Sequence, residues 1–137
     1  MPVKRISPDE AKTLIDAEGY AYLDVRSIPE FEAGHPTGAF NVPLNHLGPS
    51  GMAPNPEFLS VVEKSFPKDA KLVVGCKGGG RSLRAAEMMQ AAGYTAVIDQ
   101  RAGFEGHPGE PGWRPKGLPI DTTADPDRAY EALRAKK

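Results

Sequence analysis

The sequence predicts an α/β fold with a mainly parallel sheet and helices on both of its faces, and three observations carry that reading. Short apolar runs alternate with amphipathic stretches of helical period along the chain. The runs are apolar nearly throughout, as in parallel strands covered on both sides, instead of alternating as half-exposed strands do. Capping residues and glycines mark where helices begin and end. In sheets of this kind the reactive site lies at the carboxyl ends of the strands.

The elements follow in order. Ser7-Pro8-Asp9-Glu10 starts a helix, with Ser7 as N-cap, Pro8 at the first helical position and Glu10 closing a capping box. Ala11, Leu14 and Ile15 form its apolar face and Gly19 ends it. Tyr20–Val25 reads as a strand. A turn and a brief helix around Pro29-Glu30-Phe31-Glu32 follow, then a loop with Gly34 and Gly38 and a second short strand at Ala39–Val42. Residues 44–56, rich in proline and glycine, read as a surface loop. Glu57–Phe66 is the next helix, stopped by Pro67. Leu72–Gly75 is a strand, Ser82–Ala92 a helix ended by Gly93, and Thr95–Ile98 a last strand. Residues 102–121, dense in glycine and proline around Trp113, are expected to be irregular. Asp125-Pro126-Asp127 is expected to cap a final helix to about Ala135.

Composition bounds the function. A chain of 137 residues accommodates one domain with a real core. Its net charge of −1 argues against a nucleic-acid partner, whose binding needs a basic excess. No segment approaches the length of a membrane span, so no membrane partner is expected. The opening Met1-Pro2-Val3-Lys4-Arg5 leads into no apolar stretch of the kind a signal peptide needs. The single cysteine excludes an internal disulfide and a cysteine-based metal site, and His35, His46 and His107 are scattered without ligand spacing. No metal and no cofactor are expected. A free thiol without an export signal points to the reducing cytoplasm.

That cysteine, Cys76, opens the run Cys76-Lys77-Gly78-Gly79-Gly80-Arg81-Ser82 between a strand and a helix. Inward-facing loop amides, the helix N-terminus and two cations all favour a thiolate there, and a thiolate is a nucleophile. Gly78, Gly79 and Gly80 permit positive φ and close approach. Arg81 is able to hold the loop through carbonyl hydrogen bonds or to present its fork to an oxyanion, and Lys77 adds a cation at the rim. Ser82 is a candidate helix cap and a candidate donor to sulfur or substrate. Two reactions fit: attack on phosphorus, giving a phosphocysteine, or attack on a sulfane sulfur, giving a persulfide.

At these residues the chain resembles the rhodanese-like sulfurtransferases, whose active-site loop has a cysteine and an arginine with four residues between, where cysteine phosphatases of the related fold have five. The resemblance extends to Leu23-Asp24-Val25-Arg26, Glu30-Phe31, Gly34-His35-Pro36-Thr37-Gly38-Ala39-Phe40-Asn41-Val42-Pro43, Gly93-Tyr94, Ala102-Gly103-Phe104, and Trp113 with Gly117-Leu118-Pro119. It implies a three-layer α/β/α domain over residues 1–121 with a central sheet of about five strands, followed by a helical tail over 122–137 that has no counterpart in the family. Ala102-Gly103 replaces the usual paired glycines, and Glu105–Gly112 is longer and richer in glycine and proline than the usual link to the tryptophan. Cys76 is thereby expected to be the catalytic residue and Lys77 to Ser82 the substrate-binding loop. Asp24, Arg26 and His35 are expected to be structural residues near the site, the first two bonding loops at the sheet edge and His35 stabilising a turn. The implied reaction moves sulfur from a small anionic donor such as thiosulfate, through a Cys76 persulfide, to an external thiol, sulfite or cyanide. Alternatives are a sulfur carrier serving a partner protein and a small cysteine phosphatase or arsenate reductase.

Overall fold

The computed structural model describes residues 2–49, 51–123 and 125–136. Met1 and Lys137 at the ends, Ser50 within the expected loop 44–56, and Ala124 lie outside the described residues. The elements are β1 (Lys4–Ile6), α1 (Pro8–Glu18), β2 (Ala21–Asp24), α2 (Ile28–Ala33), β3 (His35–Pro36), β4 (Phe40–Asn41), β5 (Asn45–Gly48), β6 (Gly51–Pro54), α3 (Phe58–Ser65), β7 (Leu72–Gly75), α4 (Gly80–Ala91), β8 (Val97–Gln100), β9 (Gly106–His107), β10 (Glu110–Pro111), β11 (Ile120–Asp121) and α5 (Tyr130–Arg134). Five of the strands form one sheet in the order β1-β8-β7-β2-β4, with every neighbouring pair parallel.

The sheet is covered on both faces because its side chains alternate between two cores. Leu23, Leu72, Val74 and Val97 point to the side packed by Phe58, Val61 and Val62 of α3, Ala85, Ala86 and Met89 of α4, and Leu133 of α5. Tyr22, Val73 and Ile98 point to the other side, against Ala11 of α1, Phe31 of α2, Phe104 and Trp113. This is the three-layer α/β/α arrangement, with β7 at the centre of the sheet and its carboxyl end leading into Cys76.

The capping box of α1 forms as its residues dictate: Ser7 Oγ accepts from Glu10 N at 3.1 Å and Glu10 Oε1 accepts from Ser7 N at 3.0 Å. Gly19 closes the helix at φ 75°. Other expectations need correction. Residues 44–56 are not an open loop: β5 and β6 pair antiparallel as a hairpin, with Leu47 opposite Met52. The last sheet strand is Val97–Gln100, two residues later than expected, which carries Asp99 into the sheet. The helix after Cys76 begins at Gly80, so Ser82 lies inside it and is no cap. The segment 102–121 is mostly turns but holds three two-residue strands, one of which, β11, pairs with β3. Asp125 makes a local turn, its Oδ1 accepting from Asp127 N at 2.9 Å, and α5 begins only at Tyr130 with Ala129 before it.

The C-terminal segment covers the free edge of the sheet. Asn41 N of β4 donates to the Arg128 carbonyl at 3.0 Å, so a backbone group that would otherwise face solvent is paired. Tyr130 and Leu133 of α5 are buried in the same core as α3 and α4. Among the described residues no helix is long and apolar enough to cross a membrane.

Candidate active site

Cys76 stands at the end of the central strand and is buried, with 2% of its surface exposed. Its Sγ accepts the Gly79 amide at 3.0 Å and lies 3.5 Å from Ser82 Oγ. The first-turn amides of α4, which have no carbonyl partner within the helix, follow directly. The sulfur therefore faces the positive end of a twelve-residue helix and one aimed N–H donor.

The three glycines of the loop are not equivalent. Gly79 alone has positive φ, at 109°, and a Cβ there would lie 2.2 Å from the Arg101 carbonyl oxygen. A Cβ on Gly78 would make an ordinary 3.5 Å contact, and one on Gly80 would meet nothing within 4 Å. The turn that aims an amide at sulfur thus rests on one glycine.

Arg81 neither bonds loop carbonyls nor presents a free fork. Its Nη1 and Nη2 donate to Glu30 Oε1 and Oε2 at 2.8 and 3.0 Å, a bidentate pair that ties α4 to α2 across 51 residues. Ser27 N and Ser27 Oγ also donate to Glu30 Oε1, at 3.1 and 2.9 Å. Burial pushes this carboxyl up, but the hydrogen bonds from Arg81 and Ser27 outweigh it and hold Glu30 at about 2. From the sequence Glu30 entered only as part of a brief helix and of the family resemblance; its pairing with Arg81 was not visible there.

On the other side of the loop, Ser82 Oγ donates to Asp99 Oδ1 at 2.5 Å, and Asp99 Oδ2 accepts from Arg5 Nε at 2.7 Å. Ser82 and Asp99 are fully buried. Neither Asp99 nor Arg5 was singled out from the sequence, because Asp99 fell outside the expected strand and β1 was not expected at all.

Of the three residues expected near the site, Asp24 ends β2 and Arg26 follows it at the carboxyl end of the sheet, whereas His35 lies in β3, which pairs with β11 outside that sheet. Asp24 and Arg26 form a buried ion pair, with Arg26 Nη2 on Asp24 Oδ2 at 2.7 Å; Nη2 also donates to the Gly34 carbonyl at 2.6 Å. The Arg26 guanidinium lies over the Phe104 ring, 4.3 Å from its centroid. His35 Nδ1 is 2.7 Å from the Phe31 carbonyl and the imidazole stacks on the Phe31 ring at 3.9 Å. It is held in place at the α2–β3 corner.

The segment after β8 supports the loop from below. Phe104 N donates to the Cys76 carbonyl at 2.7 Å, and Glu105 N donates to the Lys77 carbonyl at 3.0 Å. Gly103 makes this approach possible, since a Cβ there would lie 2.4 Å from the Lys77 oxygen. A cavity of about 340 Å³ opens beside Lys77, Arg26, Glu30, Phe104, Glu105 and Arg114. A second, of about 230 Å³, lies on the opposite flank between Leu44, Asn45, Gly80, Arg81 and Arg84.

A parallel α/β sheet that delivers one buried cysteine into a glycine-rich loop at its carboxyl edge defines the class. Within that class the chain belongs to the rhodanese family: the model of the Rhodanese-like domain matches residues 7–107. Thiosulfate sulfurtransferase 16, chloroplastic, of Arabidopsis thaliana is 43% identical over 101 residues, which cover 74% of this chain and 79% of that protein. Rhodanese-like domain-containing protein 15, chloroplastic, of the same plant is 40% identical over 103 residues, covering 75% of this chain and 53% of that protein, so the chain spans about half of that relative's length. The crystal structure of Rv0390 from M. tuberculosis matches with a TM-score of 0.75 at 28% identity, covering 90% of this chain and 100% of that one. The expected α/β/α fold is therefore the rhodanese fold. The expectation of a cytoplasmic protein is corrected by the same findings, because two of these relatives are chloroplastic by name. A lone free thiol does not say which compartment holds the protein.

Proposed function

We propose that this chain is a sulfurtransferase that carries a sulfane sulfur on Cys76, taking it from thiosulfate or a related anionic donor and passing it to cyanide, sulfite or a low-molecular-weight thiol. The observation that carries the reading is the sulfur of Cys76 facing the Gly79 amide at 3.0 Å in a loop with four residues between Cys76 and Arg81. The likeness to a relative named thiosulfate sulfurtransferase supports the choice of donor.

In the first step the Cys76 thiolate attacks the outer sulfur of thiosulfate. The S–S bond of the donor breaks, sulfite leaves with the bonding pair, and Cys76 carries a persulfide. The Gly79 amide and the first turn of α4 are placed to stabilise the terminal sulfur's charge. In the second step the acceptor attacks that terminal sulfur and Cys76 leaves as thiolate. Lys77, on the wall of the larger cavity, favours an anionic donor there, Arg26 being committed to Asp24. Arg81 contributes by fixing the loop, its fork being engaged by Glu30. The chain has no second cysteine, so the acceptor comes from outside it.

Incubation with thiosulfate is expected to add about 32 Da, one sulfur atom, to Cys76 and nothing to Cys76→Ser, as read by intact-protein mass spectrometry. A wild-type chain that stays unmodified with thiosulfate, 3-mercaptopyruvate and glutathione persulfide alike would exclude this reading. A sulfur-carrier role toward a partner protein is favoured by one observation: the β5–β6 hairpin, whose Asn45 borders the cavity beside Arg81, exposes Leu47 and Met52 to solvent. Persulfide that forms but passes only to protein thiols would select it.

A further inference from the structure

Two carboxylates besides Asp24 border the candidate site, Glu30 partly buried and Asp99 fully buried. Glu30 is committed to Arg81, whereas Asp99 lies in a continuous hydrogen-bonded line with the thiol: Cys76 Sγ to Ser82 Oγ at 3.5 Å, Ser82 Oγ to Asp99 Oδ1 at 2.5 Å. Ser82 has one hydrogen and two acceptors within reach, Asp99 at 2.5 Å and the Gly79 carbonyl at 3.2 Å. With that hydrogen on the shorter bond to Asp99, a lone pair of Ser82 Oγ is turned toward the thiol, which donates to it. Sulfur, hydroxyl and carboxyl are all buried, with relative exposures of 2%, 0% and 0%, so no bulk water stands between them.

We propose that Asp99 receives the proton of Cys76 through the Ser82 hydroxyl, so that the nucleophile is ionised inside the protein. The inference rests on the reading of Cys76 as the sulfur-carrying residue, and Asp99 is a positioning residue that acts through Ser82. The step balances. The S–H bond breaks as a new O–H bond forms on Ser82, and the original Ser82 O–H bond breaks as an O–H bond forms on Asp99. No charge enters or leaves the site; one negative charge moves from carboxylate to sulfur. There it meets the Gly79 amide and the N-terminus of α4, and Ser82 now donates to it.

The surroundings fit an acceptor carboxyl. Burial pushes Asp99 up from the ordinary carboxylate range, against the hydrogen bonds from Ser82 and Arg5 that lower it. From β1, Arg5 pairs with the far oxygen, Oδ2, leaving Oδ1 to Ser82. From α4, Glu87 opposes the carboxylate. From β7, Val74 stands opposite Asp99 in the register and brings no charge. Around the sulfur itself, Arg81 and the Tyr22 phenol act at longer range. A purely structural role for Asp99, as a staple between β1 and β8, is the rival.

The test is the pH dependence of iodoacetamide alkylation of Cys76, which reads the only thiol in the chain. Two groups that share one proton titrate in two macroscopic steps, so the wild-type rate is expected to show a shelf between them where it hardly changes with pH. In Asp99→Asn and in Ser82→Ala the shelf is expected to vanish, leaving one titration in which the rate falls about tenfold per pH unit below its midpoint. At the alkaline end of the wild-type shelf Asp99→Asn is then faster than wild type, by about tenfold for each pH unit the shelf spans, because no carboxylate opposes the thiolate. Ser82→Ala leaves the Arg5–Asp99 pair intact and decides the matter if Asp99→Asn does not fold. A single-step wild-type profile, or variants that keep the wild-type shape, would overturn the relay. Thiosulfate labelling of the same wild-type sample keeps the two ideas apart: persulfide formation with no shelf removes the relay alone, and a shelf without sulfur uptake removes the sulfurtransferase reading alone.

Discussion

Glu30 and Asp99 flank one loop and behave in opposite ways. Glu30 faces a guanidinium in bidentate geometry with two further donors from Ser27, and its carboxyl is held at about 2. Asp99 has one hydroxyl and one Arg5 nitrogen, deeper in the protein, and burial prevails, so its carboxyl is raised. The deeper burial of Asp99 and its smaller number of donors decide between the two outcomes. The first carboxylate is a permanent anion that clamps α4 to α2. The second is placed where it can take up a proton. Each flank of the loop therefore has its own task, mechanical on the α2 side and protonic on the β8 side.

The largest effect is expected on the β8 side. Gly79→Ala puts a side chain at φ 109° and a Cβ 2.2 Å from the Arg101 carbonyl oxygen, where backbone has to move. Strain and overpacking together are expected to cost about 3 kcal/mol or more in urea unfolding, and the amide that faces Cys76 is displaced with them. A variant as stable as wild type would show that the inner flank is not tightly built. Next comes the clamp. Glu30→Gln replaces a charged bidentate acceptor by a neutral amide and is expected to cost about 1.5–3 kcal/mol at neutral pH. Glu30→Asp, one methylene shorter, tests whether charge alone suffices; recovery of full stability would deny the fork geometry its role.

Much of this fold was readable before the structure, and for identifiable reasons. Ser7, Glu10 and Gly19 encode the ends of α1 in local hydrogen bonds, and Leu72–Gly75 is an uninterrupted apolar strand. Cys76 and its loop followed from their position after that strand. What stayed hidden depends on distant partners. β1 has only Ile6 buried and joins the sheet by pairing with β8, more than ninety residues away. The β5–β6 hairpin exposes most of its residues and has little apolar pattern. The Glu30–Arg81 and Ser82–Asp99 contacts close only when the sheet is assembled, so no spacing rule announces them. The equal weight given to Gly78, Gly79 and Gly80 had the same origin: composition shows three glycines, and only the path of Arg101 shows which one is needed.

A smaller effect separates the two carboxylates by sign. Glu30, whose folded value lies below the usual 4.5, contributes stability that is present above about pH 4.5 and lost as pH falls toward about 2. Asp99 is raised above the usual 3.8, so its contribution is full below about 3.8 and lost as pH rises through its folded value. Denaturant titrations across that range are expected to show the wild type gaining on Glu30→Gln with rising pH and losing ground to Asp99→Asn. Equal slopes of one sign would dissolve the distinction between clamp and proton acceptor.

The smallest effect lies at Gly80, and it sharpens the contrast between flanks because it is expected to run the other way. Gly80 is the first residue of α4, its φ is not positive, and a Cβ there would meet nothing within 4 Å. Alanine is compatible with that backbone and restricts the unfolded chain, so Gly80→Ala is expected to stabilise by about 0.4–1 kcal/mol. Neighbouring glycines in one loop are thus expected to shift the urea midpoint in opposite directions. A destabilised Gly80→Ala would mean that the outer flank of the loop is as closely packed as the inner, and that the open space beside Arg81 and Arg84 is filled when the protein is in solution.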